Sequence, residues 1–305
     1  MKISHILFSR VVLSVCVAVV IWGVPTTTSA QGTIGISYGY ETFPYAKLQT
    51  PIPGGEDFEI KTTSWNVGVA FPWKFADGKI LMLSNLSYKR VRFKYRNIPP
   101  LVNVDNLTQA QSVQLSAFII DSLSERWSMI VAIIPGLASD FDRKVSMDDF
   151  TLQAVLGIVR KYGTTFQLGF GLAYTRDFGP PMPLPFLYID WKITPDLVLN
   201  GLLPVNLVLR YDLHPMVDLA LAMKVRGDRY HGDSKKYGVN NPQMEYSEAT
   251  LSPSARIHFT QWLHLNVEGG LAFYRNYEFL DGDISASSID LEQTGYLRVE
   301  FVLGM

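Results

Sequence analysis

A closed antiparallel β-barrel that crosses a bacterial outer membrane is the fold this sequence predicts. Three features predict it: an export signal at the N-terminus, the lack of any later helix-length apolar run, and a hydrophobic period of two. The expected plan is all-β and up-and-down, a transmembrane barrel of about 14 strands, or about 12 if one kinked segment is a single strand.

The export signal comes first in the chain. Lys2 and Arg10 precede an apolar run from Val11 to Val24, and Thr28-Ser29-Ala30 then offers the small residues a signal peptidase accepts. The run is shorter than the roughly 20 residues of a membrane-spanning helix and is closed by Pro25. Residues 1–30 therefore read as a signal peptide cleaved near Ala30, and residues 31–305 as the barrel of a Gram-negative outer membrane. Cys16, the single cysteine, leaves with the signal, so the mature chain has no thiol chemistry. Loss of Lys2 and Arg10 from the 27 basic residues leaves the 28 acidic ones untouched, a near-neutral balance without the clustered basic surface that nucleic acid requires.

After Ala30 no apolar run of around 18 residues recurs, which excludes membrane helices and leaves a closed barrel as the only way to pair every backbone group in lipid. Alternation supplies the strands. Leu263, Leu265, Val267, Leu271 and Phe273 share one face of a segment whose other face carries His264, Asn266, Glu268 and Tyr274. Val217, Leu219, Leu221 and Met223 alternate with Asp218, Ala220, Ala222 and Lys224, and Phe166, Leu168, Phe170 and Leu172 with Gln167, Gly169, Gly171 and Ala173. A soluble sandwich would also alternate, but its outward face would be rich in Lys and Glu. Here the polar face is small, uncharged or singly charged, as suits a crowded lumen.

Strands are expected near 33–43, 60–71, 79–95, 110–121, 126–136, 148–161, 164–175, 184–193, 196–202, 204–211, 216–227, 246–259, 263–275 and 292–304. The segment 196–211 is the one that would count once if Gly201 to Pro204 were only a kink, and the change of phase between Tyr88 and Val91 reads as a β-bulge. Long connections such as 44–59, 228–245 and 276–291 alternate with short turns, the usual distinction between outer loops and periplasmic turns. Trp73, Trp127 and Trp262 border the short turns, where an aromatic girdle belongs.

The terminal segment places Leu297, Val299, Phe301, Leu303 and Met305 on one face. It resembles the C-terminal signature by which outer-membrane barrels are recognised for assembly, with Met305 where an aromatic residue is usual. The stretch from Pro185-Phe186-Leu187-Tyr188-Ile189-Asp190-Trp191 through Arg226-Gly227-Asp228-Arg229-Tyr230 resembles a family of bacterial outer-membrane barrels of unknown function. That resemblance implies the fold and carries no active site. The partners it implies are outer-membrane lipid and lipopolysaccharide and the barrel-assembly machinery, with no nucleic acid.

On this phase Glu41, Arg92, Asp190, Arg210, Lys224, Arg226, Arg256, Glu268, Arg298 and Glu300 are expected to line the lumen. Glu41, Glu268, Arg298 and Glu300 fall on strands that become neighbours on closure and are expected to form an ion-pair ladder. Such a mixed-charge lining either tunes solute passage or braces a closed lumen. A small-solute channel or transporter is the first expectation, and a structural or surface-binding barrel presenting its long outer loops is the second. Lipid-acyl hydrolysis is a weaker third: Ser252, Ser254, His258 and Glu268 share an inward face, but serines four and six residues from His258 lie about 13 and 20 Å away along a strand. No catalytic residue, metal site or cofactor is assigned. His231, Asp233 and Asp228 read as a solvated loop.

Overall fold

The computed structural model describes residues 34–50, 57–98, 108–175, 182–237, 240–282 and 284–304, so the expected signal peptide and its cleavage site lie outside the described residues. The strands are β1 (Gly35–Lys47), β2 (Glu59–Phe75), β3 (Ile80–Arg96), β4 (Gln109–Ser122), β5 (Trp127–Ser139), β6 (Phe150–Tyr162), β7 (Phe166–Thr175) and β8 (Met182–Lys192). They continue as β9 (Leu197–Leu203), β10 (Asn206–His214), β11 (Val217–His231), β12 (Pro242–Thr260), β13 (Leu263–Asp281), β14 (Ile284–Asp290) and β15 (Thr294–Leu303). One short helix, α1 (Ser234–Tyr237), lies in the β11–β12 connection.

From β2 to β13 each strand pairs antiparallel with the one before it, β13 pairs with β15, and β15 pairs with β1, which closes the ring. β14 only extends the outer end of β13, so the closed barrel has 14 strands. The segment 196–211 is two strands, β9 and β10, joined through Pro204 and Val205. At the seam Arg298 stands directly opposite Glu41 on one side and Glu268 on the other.

Alternation does what lipid requires of it. Ile36, Leu156, Phe170, Leu172, Leu221, Leu251 and Phe301 all point outward and are exposed on the protein surface, where acyl chains replace water. Trp73, Trp127 and Trp262 are exposed at the short-turn end, which by the usual polarity faces the periplasm. On β6 and β7 the inward positions include Gly157 and Gly171, and the Phe186 ring lies over both, within 2.5 and 2.6 Å of where a Cβ would stand. A larger residue at either position would collide with that ring.

Beyond the lipid belt, towards the long loops, the faces exchange character. On β3, Val91 and Phe93 are buried inward while Arg92 and Lys94 are exposed outward, because the outside is now water and the inside a packed core. The pairing of β3 with β2 runs without a break from Phe75↔Ile80 to Glu59↔Arg96. This corrects two expectations. No bulge lies between Tyr88 and Val91, and Arg92, opposite Thr63, faces away from the lumen. A true irregularity does occur on β13, where Ala249↔Tyr274 is followed by Thr250↔Ala272. It turns Tyr274 outward and brings Arg275 and Tyr277 inward.

The barrel closes a second time at its outer end. β10 ends its ladder at Asn206↔Lys224, so the outer part of β11 runs on beyond its pairing with β10. There β11 meets β5 directly, with His231 opposite Ser139 in parallel. The His231 carbonyl accepts from Asp140 N–H at 3.1 Å and from Ser139 Oγ at 2.8 Å. β6 to β10 are thus bypassed, and the narrower outer ring is filled by Phe58, Ile60, Val91, Phe93, Tyr230, Met244, Tyr246 and Tyr277. Tyr246 stacks between Tyr230 and Tyr277 at 6.4 and 5.9 Å, and Phe93 meets Tyr277 edge-on at 5.9 Å.

Candidate functional site in the lumen

Below the aromatic cluster the inward face is charged and arranged in layers. Nearest the short-turn end, Arg256 Nε donates to Asn266 Oδ1 at 3.0 Å, Arg210 pairs with Asp212 at 3.0 Å, and His258 Nε2 meets Asp218 at 2.9 Å. Asp190 is buried beside a shallow depression formed with Lys161, Gln167 and Lys192.

The middle layer centres on Glu268. Its carboxylate accepts from Lys224 Nζ at 2.5 Å, Ser252 Oγ at 3.1 Å and Tyr296 OH at 2.5 Å. Arg298 lies 3.8 Å from Glu300, which also accepts from Asn266 Nδ2 at 3.3 Å. The expected ladder residues are therefore adjacent, but Glu268 takes its closest cation from β11 and not from Arg298.

The upper layer crosses the lumen. Arg226 Nη2 on β11 donates to Glu41 on β1 at 2.8 Å and to Glu248 on β12 at 2.7 Å. Lys89 on β3 donates to Asp228 on β11 at 2.6 Å and to Tyr246 OH at 2.6 Å. Arg275 on β13 donates to Thr62 on β2 at 3.0 Å and to Tyr277 OH at 2.8 Å. β1 and β3 do not adjoin β11 in the ring, nor does β2 adjoin β13, so Arg226–Glu41, Lys89–Asp228 and Arg275–Thr62 span the interior, whereas Arg226–Glu248 joins directly opposite residues of adjacent strands. Two donors in the layer, Arg226 Nε and Arg275 Nη1, are buried with no hydrogen-bond partner among the described residues.

Nine of the ten expected lumen residues face inward, Arg92 being the exception. Lys89, Glu248 and Arg275 complete the bridge. Lys89 shares the inward phase of Ser87, which the apparent phase change conceals; Asp228 lies where the sequence resembles a polar loop; and Arg275 faces inward because of the irregularity at Phe273. Ser252 and His258 are not brought together, since the former bonds Glu268 and the latter Asp218 and the edge of His264 at 4.6 Å. His231 is drawn into the outer seam: Nδ1 lies 3.2 Å from Asp149, with Arg143 and Asn241 also in contact. No group of metal-ligating residues occurs among the described residues. Outside the barrel wall, Lys47 Nζ bonds Asp57 at 2.7 Å, and that bond, reinforced by its charge, holds the Asp57 carboxyl below the usual carboxylate range.

An unbroken ring of strands, a lipid-facing apolar belt and an inward polar face define an outer-membrane β-barrel. More particularly, residues 58–294 match the family described as a domain of unknown function, DUF6268, and the chain belongs to that family. Among solved structures, the chain is similar in fold to the COG4313 outer membrane channel from Pseudomonas putida F1, at 13% identity and a TM-score of 0.47, covering 92% of this chain and 97% of that one. It is also similar to the P. putida toluene transporter TodX, at 9% identity and a TM-score of 0.46, with 91% of each chain covered. The NanC porin follows at 8% identity and a TM-score of 0.37, covering 89% of this chain and 99% of that one. No curated protein matches the sequence.

Proposed function

We propose that this barrel is a small-solute channel whose closed state is held by the cross-lumen bridge of Lys89–Asp228 and Glu41–Arg226–Glu248. The observation that carries the reading is that, below the aromatic cluster, the obstruction is ionic and includes two pairs between non-adjacent strands, Lys89–Asp228 and Arg226–Glu41. Ion pairs can be exchanged for water and counter-ions without breaking the sheet, whereas a lumen sealed for strength alone is better filled by apolar side chains. The unpartnered Arg226 Nε and Arg275 Nη1 support it, because a partly satisfied buried network is easily rearranged.

The test is purified residues 31–305 in planar bilayers and in liposome-swelling assays, wild type against Lys89→Ala. Rare, small steps that become several-fold more frequent in the variant support the channel. Silence of both proteins, with no solute entry, counts against it. A second reading, a structural barrel displaying its outer loops, is favoured by the aromatic cluster above the bridge, and it expects that silence.

A further inference from the structure

We propose that the outward face of β2 and β3, just beyond the lipid belt, is a docking site for the phosphorylated headgroup of a saccharolipid in the outer leaflet. The proposal rests on the outer-membrane reading of the fold and on the long loops facing outward, and not on the channel reading.

The register sets out this face row by row. Tyr38, Val67 and Tyr88 stand side by side, followed by Tyr40, Trp65 and Arg90, and then by Thr42, Thr63 and Arg92. Lys61 beside Lys94 comes next, and Glu59 beside Arg96 last. The Trp65 and Tyr88 rings, 5.1 Å apart, mark the aromatic belt, and the surface turns cationic within one row of it. Two residues along a strand advance roughly 7 Å, so Arg90 to Arg96 extends through about 20 Å of the headgroup zone.

Three observations separate this stripe from an ordinary solvated face. Lys61 and Lys94 are directly opposite, a like-charge pair that repels unless an anion lies between them. Arg90, Arg92, Lys94 and Lys61 make no ion pair among the described residues, whereas Arg229, on the outer part of β11, is paired with Glu245. Arg90 is also held ready: its guanidinium donates to Gln109 while Nε is buried with no partner among the described residues, and Gln111 is engaged by Tyr88 OH at 2.5 Å. Guanidinium forks and ammonium groups stacked above a belt of Tyr and Trp suit phosphate monoesters borne on sugars whose acyl chains lie against Tyr38, Val67 and Leu86. Arg96 is the outer limit, resting on the Tyr45 ring at 3.7 Å and 3.9 Å from Glu59.

The test titrates the purified full barrel, in micelles, with lipid A carrying two phosphates and with the same lipid after phosphate removal, counting bound lipid by native mass spectrometry. Relative to wild type, Arg92→Gln/Lys94→Gln is expected to bind the bisphosphorylated lipid about 25-fold more weakly, about fivefold for each basic residue removed. The phosphate-free lipid is expected to bind weakly to both. Arg92→Lys/Lys94→Arg, which keeps the charge, is expected to retain binding. These side chains point away from the core, and heat-modifiable migration verifies that each variant is folded. Equal binding of the two lipids, or equal binding by wild type and the Gln variant, overturns the proposal. So does complete displacement of the lipid by millimolar inorganic phosphate, which would identify a free-anion site. Silence in the bilayer recordings leaves this result unaffected, since neither residue faces the lumen.

Discussion

Replacing Arg226 by Gln removes the cation that two carboxylates share, Glu41 across the lumen and Glu248 on the adjacent strand. Its Nη2 lies 2.8 Å from Glu41 and 2.7 Å from Glu248, and those residues are only 6% and 3% exposed. In the variant two buried carboxylates lose the guanidinium they share, with only Arg298 opposite Glu41 and Arg275 opposite Glu248 left nearby. Breaking a buried pair by removing one partner costs about 3–5 kcal/mol, because the remaining charge is desolvated without compensation. The assay is urea unfolding in micelles, followed by the shift between folded and unfolded migration, with Arg226→Gln, Glu41→Gln/Glu248→Gln and the triple variant in parallel. Arg226→Gln is expected to lose stability on the order of 3–5 kcal/mol. The triple variant carries no stranded charge and is expected to recover most of that loss, so the three changes are strongly non-additive. If Arg226→Gln unfolds within about 0.5 kcal/mol of wild type, as a surface change would, the bridge does not exist as described. If the triple variant is as unstable as the single, the loss comes from packing and not from charge.

Two further outcomes follow from the wall. Leu156→Arg places a cation among the acyl chains, and at the bilayer midplane that costs about 2–4 kcal/mol, read as a lower urea midpoint. Gln153→Arg, on the inward face of the same strand, is expected to change the midpoint far less. Gly157→Ala sets a methyl about 2.5 Å from the Phe186 ring and 3.1 Å from the Phe170 carbonyl, and overpacking of this kind costs roughly 1–3 kcal/mol. Phe186→Ala is expected to relieve most of that cost, which a double-mutant cycle of urea midpoints measures; additive losses would show that the ring is not the obstacle.

Much of the barrel was legible because lipid imposes one rule on every strand: apolar out, small or polar in. That rule gave the strand order and placed Glu41, Lys224, Glu268 and Arg298 inside. It failed where lipid ends. Outside the belt the chain still alternates, but Val91, Phe93 and Tyr230 turn inward and Arg92 and Lys94 outward, so reading the membrane rule onward mimics a bulge and sends Arg92 to the wrong side. For the same reason the outer ends of β11, β12 and β13 resembled polar loops, and β14 was not foreseen. The cross-lumen partners were out of reach for another reason. Period and register assign a residue to a face, but which opposing side chain it reaches depends on how narrow the ring becomes, and that is set by the second closure between Ser139 and His231.

The seam strand also carries a means of rejecting misalignment during assembly. β15 is inserted between the first and penultimate walls of the ring, and a one-residue slip would turn its apolar set inward, an error lipid itself penalises. A two-residue slip keeps the faces correct and must be detected in some other way. In the native alignment Arg298 sits between Glu41 and Glu268, with Glu300 beside Gly39 and Asn266. Moving β15 so that Glu300 takes the place of Arg298 would gather three carboxylates in one row. The misaligned product would then be repelled by its own neighbours before the ring could seal.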